Sequence, residues 1–192
     1  ASGGRHLSRP YWSEPRRGDL VAAGRRAAAL FSRTLDGSQE RGEAAHLLGG
    51  IAFEQGRLEE AEQHFEEAMT VARARSDALL AARASNNLAS IAHLRGKETL
   101  AISLYRSAML VWQGAGHSAG VAQASHNLAQ VFRQQGDLVA AASASARAVR
   151  AAHLSGDTAL EGTARLGQAE VALAEGALDR ATVELNAARR CA

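Results

Sequence analysis

The sequence predicts an all-α solenoid, and three observations carry that prediction. The stretch Ala45–Gly56 returns as Ser85–Gly96, as Ser125–Gly136 and, in worn form, as Arg165–Gly176. Its terminal glycines, Gly56, Gly96, Gly136 and Gly176, are each 40 residues apart, and a fixed period of this size marks a stacked-repeat architecture. The composition is 46% apolar but only 4% aromatic, so the apolar content is mostly Ala and Leu, which suits helices packed closely through small side chains. The only two prolines are Pro10 and Pro15, so proline interrupts nothing after the N-terminal segment.

The elements follow in order. Residues 1–17 read as an irregular segment, because Pro10 and Pro15 push the residues before them out of the helical region. Tyr11 and Trp12 within it are expected to cover the first helix; the alternative is an arm that lies in a groove as a pseudo-ligand. A repeat domain then spans 18–192. It opens with a half-repeat, 18–36, in which Leu20, Ala23, Ala27, Leu30 and Phe31 recur at helical spacing. Asp36-Gly37-Ser38 ends it in turn-forming residues.

Four full repeats follow, at about 41–76, 77–116, 117–156 and 157–192. Each is a pair of helices. In the second, Asp77 is placed to cap a first helix that runs to about Arg95. Gly96 makes the left-handed turn, and a second helix runs from about Lys97 to Gln113. In the third, Asp137 is placed to cap the second helix, and Gly156-Asp157 links to the fourth. Ala84, Leu88 and Ala92, flanked by Ile91, form one apolar stripe; Ala124, Leu128 and Phe132, with Val131, form its counterpart. Such a pair cannot bury its apolar face alone and must stack on its neighbours.

The repeat resembles the tetratricopeptide repeat. That pattern places a Leu and a small residue in the first helix, Gly at the turn, then Ala, an aromatic and Ala in the second helix. The first repeat reads Leu48-Gly49, Gly56, Ala61, Phe65, Ala68, and the second Leu88-Ala89, Gly96, Ala101, Tyr105, Ala108. The third reads Leu128-Ala129, Gly136, Ala141, Ser145, Ala148, and the fourth Gln168-Ala169, Gly176, Ala181, Leu185, Ala188. The resemblance implies a right-handed superhelix of antiparallel pairs. Against the usual length of about 34 residues, each repeat here is longer and lacks the closing Pro. Such long repeats resemble those of bacterial peptide-responsive regulators, sensor domains of regulatory ATPases and cell-polarity adaptors. HEAT and armadillo arrays share the period, but the Leu-small, Gly, Ala-aromatic-Ala pattern favours the tetratricopeptide reading.

Function is expected on the first helices, on the face opposite the apolar stripe, which should line the concave side. In the second repeat that face carries Arg83, Asn86, Asn87, Ser90 and His93; in the third it carries Gln123, His126, Asn127, Gln130 and Arg133. Amides donate and accept at once, which suits a peptide backbone, and arginine suits a carboxylate. The resemblance implies that Asn87 and Asn127, at equivalent sites just before the motif Leu, hold the backbone of an extended peptide. The first repeat differs here, with Glu43, His46, Gly50 and Phe53, as does the fourth, with Thr163, Leu166, Glu170 and Leu173. The expected partner is therefore a protein or peptide segment, acidic in character, held by the middle repeats. Self-association through an uncapped end is an alternative. A sensor domain of a larger bacterial regulator is another.

Other classes find little support. The seven histidines include no helical zinc pair with a third ligand nearby, and neither a phosphate loop nor a nucleophile motif is present. No enzyme activity, metal or cofactor is expected. A formal net charge of +2 is too small to imply nucleic-acid binding, and no apolar run reaches a membrane span. The lone Cys191 fits a reducing, cytoplasmic setting, and heavy Ala and Arg usage suits a GC-rich bacterial genome.

Overall fold

The structure is a computed structural model that describes residues 17–191. Tyr11, Trp12 and the expected irregular segment fall outside the described residues, Arg17 excepted. Every regular element among the described residues is a helix. These are α1 (Arg17–Arg33), α2 (Gln39–Glu54), α3 (Leu58–Ala74), α4 (Ala78–Leu94), α5 (Glu98–Gly114), α6 (Ser118–Gln134), α7 (Leu138–Ser155), α8 (Thr158–Ala174) and α9 (Leu178–Arg189). The chain divides into two compact units inside α5, the first ending at Leu104 and the second beginning at Tyr105.

The turns reproduce the period of the sequence. Gly56, Gly96, Gly136 and Gly176 all take positive φ, near +72 to +79°, and close the first helix of each pair. In the first of these turns Gly56 N–H donates to the Phe53 carbonyl and Arg57 N–H to the Ala52 carbonyl, both at 2.9 Å. These bonds satisfy carbonyls that a helix end leaves without partners. The turns that enter each new pair follow the same spacing, with Gly116 and Gly156 also at positive φ. Ser76 holds the equivalent place with φ 55°, the only non-glycine at positive φ among the described residues. A side chain there meets the steric cost of the left-handed region.

Unit 1 is built on small residues against large ones. One cluster joins Ala52, Ala61, Phe65 and Ile91, with Phe53 and Leu88 packed against it. A second joins Ala45, Ala68, Ala72, Leu80 and Ala84, with Phe31 and Met69 at its edge. Gly49 lets α2 approach the Phe65 ring, since a Cβ there would lie 2.7 Å from ring atoms. Arg41 ties α1 to its neighbours: its guanidinium lies 4.0 Å from the Phe31 ring centroid, and its Nε donates to Glu67 at 2.7 Å. Ser38 caps α2 and Asp77 caps α4, the latter accepting from Leu80 N–H at 2.9 Å.

In unit 2, Asp137 accepts from Ala140 N–H at 3.0 Å and Asp157 from Leu160 N–H at 2.9 Å, capping α7 and α8. His117 caps α6 in the same way, its Nδ1 accepting from Gly120 N–H at 2.9 Å. Its ring stacks on Trp112, and Gly120 leaves room for the indole, which a Cβ would meet at 2.3 Å. The register 77, 117, 157 holds Asp, His and Asp, so the histidine substitutes as an acceptor at a capping site. Ser145 stands where the repeat pattern asks for an aromatic and is nevertheless buried.

Candidate functional site: the first-helix seams

Each unit sets two consecutive first helices side by side, α2 with α4 in unit 1 and α6 with α8 in unit 2. Part of the polar face expected to line a groove meets the neighbouring first helix instead, through Arg83 and Asn87 in unit 1 and through His126 and Arg133 in unit 2. Asn86, Asn87, His93, His126, Asn127 and Gln130 are all buried. Arg83, Ser90, Gln123 and Arg133 keep partial exposure. The cause lies in the backbone: small residues let neighbouring helices approach so closely that a medium-sized polar side chain fills the seam.

In unit 1 the seam is closed by a hydrogen bond. Asn87 Nδ2 lies 3.0 Å from His46 Nε2. With the amide as donor, His46 accepts on Nε2 and holds its proton on Nδ1. Its ring also leans on Phe65, with centroids 5.7 Å apart. Burial first, and the nearby Arg83 charge second, push the His46 pKa down from 6.5 to about 4. Ser90 Oγ donates to the Asn86 carbonyl at 3.2 Å, so part of this face satisfies its own backbone.

In unit 2 the seam is closed by shape. His126 lies against Gly167, whose Cβ, if present, would sit 2.6 Å from the imidazole Nδ1. Its Nε2 is buried and has no hydrogen-bond partner among the described residues. Burial, with a smaller contribution from the Arg133 charge, lowers its pKa from 6.5 to about 4. A neutral ring is the only form this place tolerates at neutral pH.

Both seams carry an ion pair at their open edge. Arg83 on α4 binds Glu43 on α2, with side chains 39% and 41% exposed. Arg133 on α6 binds Glu170 on α8 at 3.1 Å, with side chains 30% and 51% exposed. The sequence places Glu43 and Glu170 on the right face, but reading one helix at a time does not pair them with arginines. The spacing of 40 between Glu43 and Arg83 is the signal that connects the first pair. Gly167 is the other residue that sequence reasoning missed; a glycine in the middle of a helix, one repeat after a histidine, is its trace in the sequence. Leu166 and Leu173 on α8 are about half exposed, while Phe53 on α2 is half-buried.

No group of three or more histidine, cysteine or acidic side chains among the described residues could hold a metal ion. No described helix is long and apolar enough to cross a membrane.

Antiparallel helix pairs repeated at constant spacing, with first helices in register, define a helical repeat protein. Two family models, both described as tetratricopeptide repeat, match residues 19–77 and 80–153. The chain belongs to the tetratricopeptide repeat family. Such repeats are protein–protein interaction modules, typically non-catalytic scaffolds. No curated protein matches the sequence. Among solved structures, BtubC (BKLC) from P. vanneervenii is similar at 24% identity with a TM-score of 0.73, covering 91% of this chain and 73% of that one. A putative kinesin light chain with nearly identical TPR-like repeats from Podosopora anserina aligns at 14% identity and TM-score 0.62, covering 91% and 86%. MamA aligns at 16% identity and TM-score 0.59, covering 91% and 90%. At these identities the likeness is one of fold.

Proposed function

We propose that the chain is a non-catalytic module that binds a protein or peptide segment along its first-helix faces. The observation that carries this reading is the open edge of each seam. In both units an arginine reaches solvent beside a row of amide and imidazole groups, Arg83 beside Asn87 and Arg133 beside Gln130 and Asn127. Arginine can meet a carboxylate, and a seam amide that turns outward can meet a peptide backbone. The middle repeats supply these groups, so the partner is an acidic segment. The small net charge supports a protein partner over nucleic acid, and the lone Cys191 supports a cytoplasmic setting.

The experiment is selection of binding peptides from a displayed library, followed by affinity measurement on variants. Arg83→Ala/Arg133→Ala changes only partly exposed groups and should weaken the selected ligands at least tenfold while the circular dichroism spectrum stays native. Asn87→Ala/Asn127→Ala tests the amides, with a thermal melt to separate binding from folding. Selected peptides that bind all variants equally would remove the seam from the reading.

A second reading, self-association, is favoured by exposed apolar groups on α8 and α9. Leu166 and Leu185 are 48% and 39% exposed, whereas His126 and Ser145, one repeat earlier, are buried. A molar mass that rises with concentration in light scattering, and stops rising in Leu166→Asp/Leu185→Asp, supports it; a constant monomer mass rejects it.

A further inference from the structure

The two ion pairs share a design that the binding reading does not require. In each unit the guanidinium belongs to one first helix and the carboxylate to the first helix beside it: Glu43 on α2 for Arg83 on α4, and Glu170 on α8 for Arg133 on α6. The pairs do not occupy equivalent repeat positions. The register of Glu43 and Arg83 is filled in unit 2 by Gln123 and Thr163, and the register of Arg133 and Glu170 is filled in unit 1 by Phe53 and Ser90. Neither pair is thus a by-product of copying the other. Each brings a carboxylate to the one arginine on its unit's proposed binding face.

We infer that Glu43 and Glu170 act as built-in competitors, occupying the arginines that an acidic partner would use. This rests on the proposed binding of an acidic segment at the seams. All four side chains keep solvent contact, so the pairs can open without exposing a buried charge. A displaced glutamate is simply solvated. Exposed pairs of this kind are weak, so the competition is shallow and reversible, and salt screens it. The partner class sharpens accordingly: a segment carrying several carboxylates outcompetes the internal ones, and a segment with a single acidic group does not.

The test measures fluorescence anisotropy of a labelled polyglutamate peptide against the whole chain. Glu43→Gln/Glu170→Gln should tighten binding by between about 1.4- and 5-fold for each pair released. The gain should vanish when Arg83→Gln/Arg133→Gln is added, and should shrink as salt rises from about 0.01 M to about 1 M. Glu66→Gln/Asp179→Asn makes the same change in net charge at exposed positions on α3 and α9. Equal tightening in that control would reduce the effect to overall charge and overturn the inference. So would unchanged or weaker binding in Glu43→Gln/Glu170→Gln, or no binding by any variant. If Asn87→Ala/Asn127→Ala leaves the affinity for the peptide unchanged while Glu43→Gln/Glu170→Gln still tightens it, the amide half of the binding reading fails while the competitor role stands.

Discussion

In unit 1 the seam histidine, His46, is held by an amide; in unit 2 its counterpart, His126, is held by the lack of a side chain at Gly167. The two stand 80 residues apart in the same repeat position, and so do three further pairs around them: Asn87 and Gly167, Phe65 and Ser145, Gly49 and Ala129. Where Phe65 fills the core, Gly49 makes room for its ring. Where Ser145 replaces the ring, Ala129 can carry its Cβ, and both are buried. Removal of Asn87 at the next level, by Gly167, admits the His126 ring and forfeits the partner of Nε2. The two units therefore reach similar packing by linked exchanges of volume. The second repeat takes another course, keeping Ala89 together with a buried Tyr105. In a close-packed core a change in volume is felt by the residues it touches, and more than one arrangement can absorb it.

The comparison breaks most visibly at Phe65. Phe65→Ser copies unit 2 into unit 1 without the compensating Ala, and should cost roughly 3–5 kcal/mol, in the range for truncating a buried Phe. Urea denaturation measures it, and Phe65→Ser/Gly49→Ala should recover part of the loss. A double variant no more stable than the single one would mean that the exchanges are not linked.

Acid acts on both units alike. The folded chain keeps His46 and His126 neutral down to about pH 4, whereas their unperturbed value is 6.5. Their contribution to stability is therefore full above pH 6.5 and is lost as pH falls toward 4, at about 3 kcal/mol for each histidine. Thermal melts across this range should show the loss, and His46→Gln/His126→Gln should flatten it. A wild-type melting temperature that does not move between pH 7 and pH 4, the span that holds both values, would contradict the neutral imidazoles.

Gly167→Ala sharpens the contrast from the other side. Its Cβ would meet the His126 ring at 2.6 Å, so overpacking should cost roughly 1–3 kcal/mol. Adding His126→Ala should relieve the clash, giving a favourable coupling in a double-mutant cycle. Additive losses would show that the ring has another place to go.

The smallest effect concerns the turn that distinguishes Ser76 from Gly116 and Gly156. Ser76→Gly should stabilise unit 1 by about 1 kcal/mol, because φ 55° carries a steric cost for any residue with a Cβ. A shift in the urea midpoint reads it directly. A destabilised variant would place the origin of the positive φ in the serine side chain.

Much of this molecule is legible in one dimension. Spacing alone locates Gly56, Gly96, Gly136 and Gly176 at their turns, and Asp77 and Asp137 sit at the helix starts that they are expected to cap, while Asp157, read as part of a linker, caps α8 as well. In the apolar stripe of Ala84, Leu88 and Ala92, flanked by Ile91, all are buried as the periodicity requires except Leu88, which is partly buried. The site is less legible. Asn87 and Asn127 lie on the polar face that the sequence marks, but the sequence presents that face as open, and in the structure both are buried. Helical periodicity separates one side of a helix from the other; it carries no information on how near the next helix stands.

What the sequence determines by itself is the local geometry and its repetition: helix lengths, caps, left-handed turns and the small-against-large pattern of the core. These depend on residues within a few positions of one another or on a constant period. Only the tertiary structure decides which side chains meet across a seam. Glu43 with Arg83, His46 with Asn87, and His126 with Gly167 are contacts between residues 40 or more apart in sequence, and each depends on an interhelical approach of a few ångströms. That approach is set by the summed volumes of several small residues, so it becomes fixed only when the helices pack.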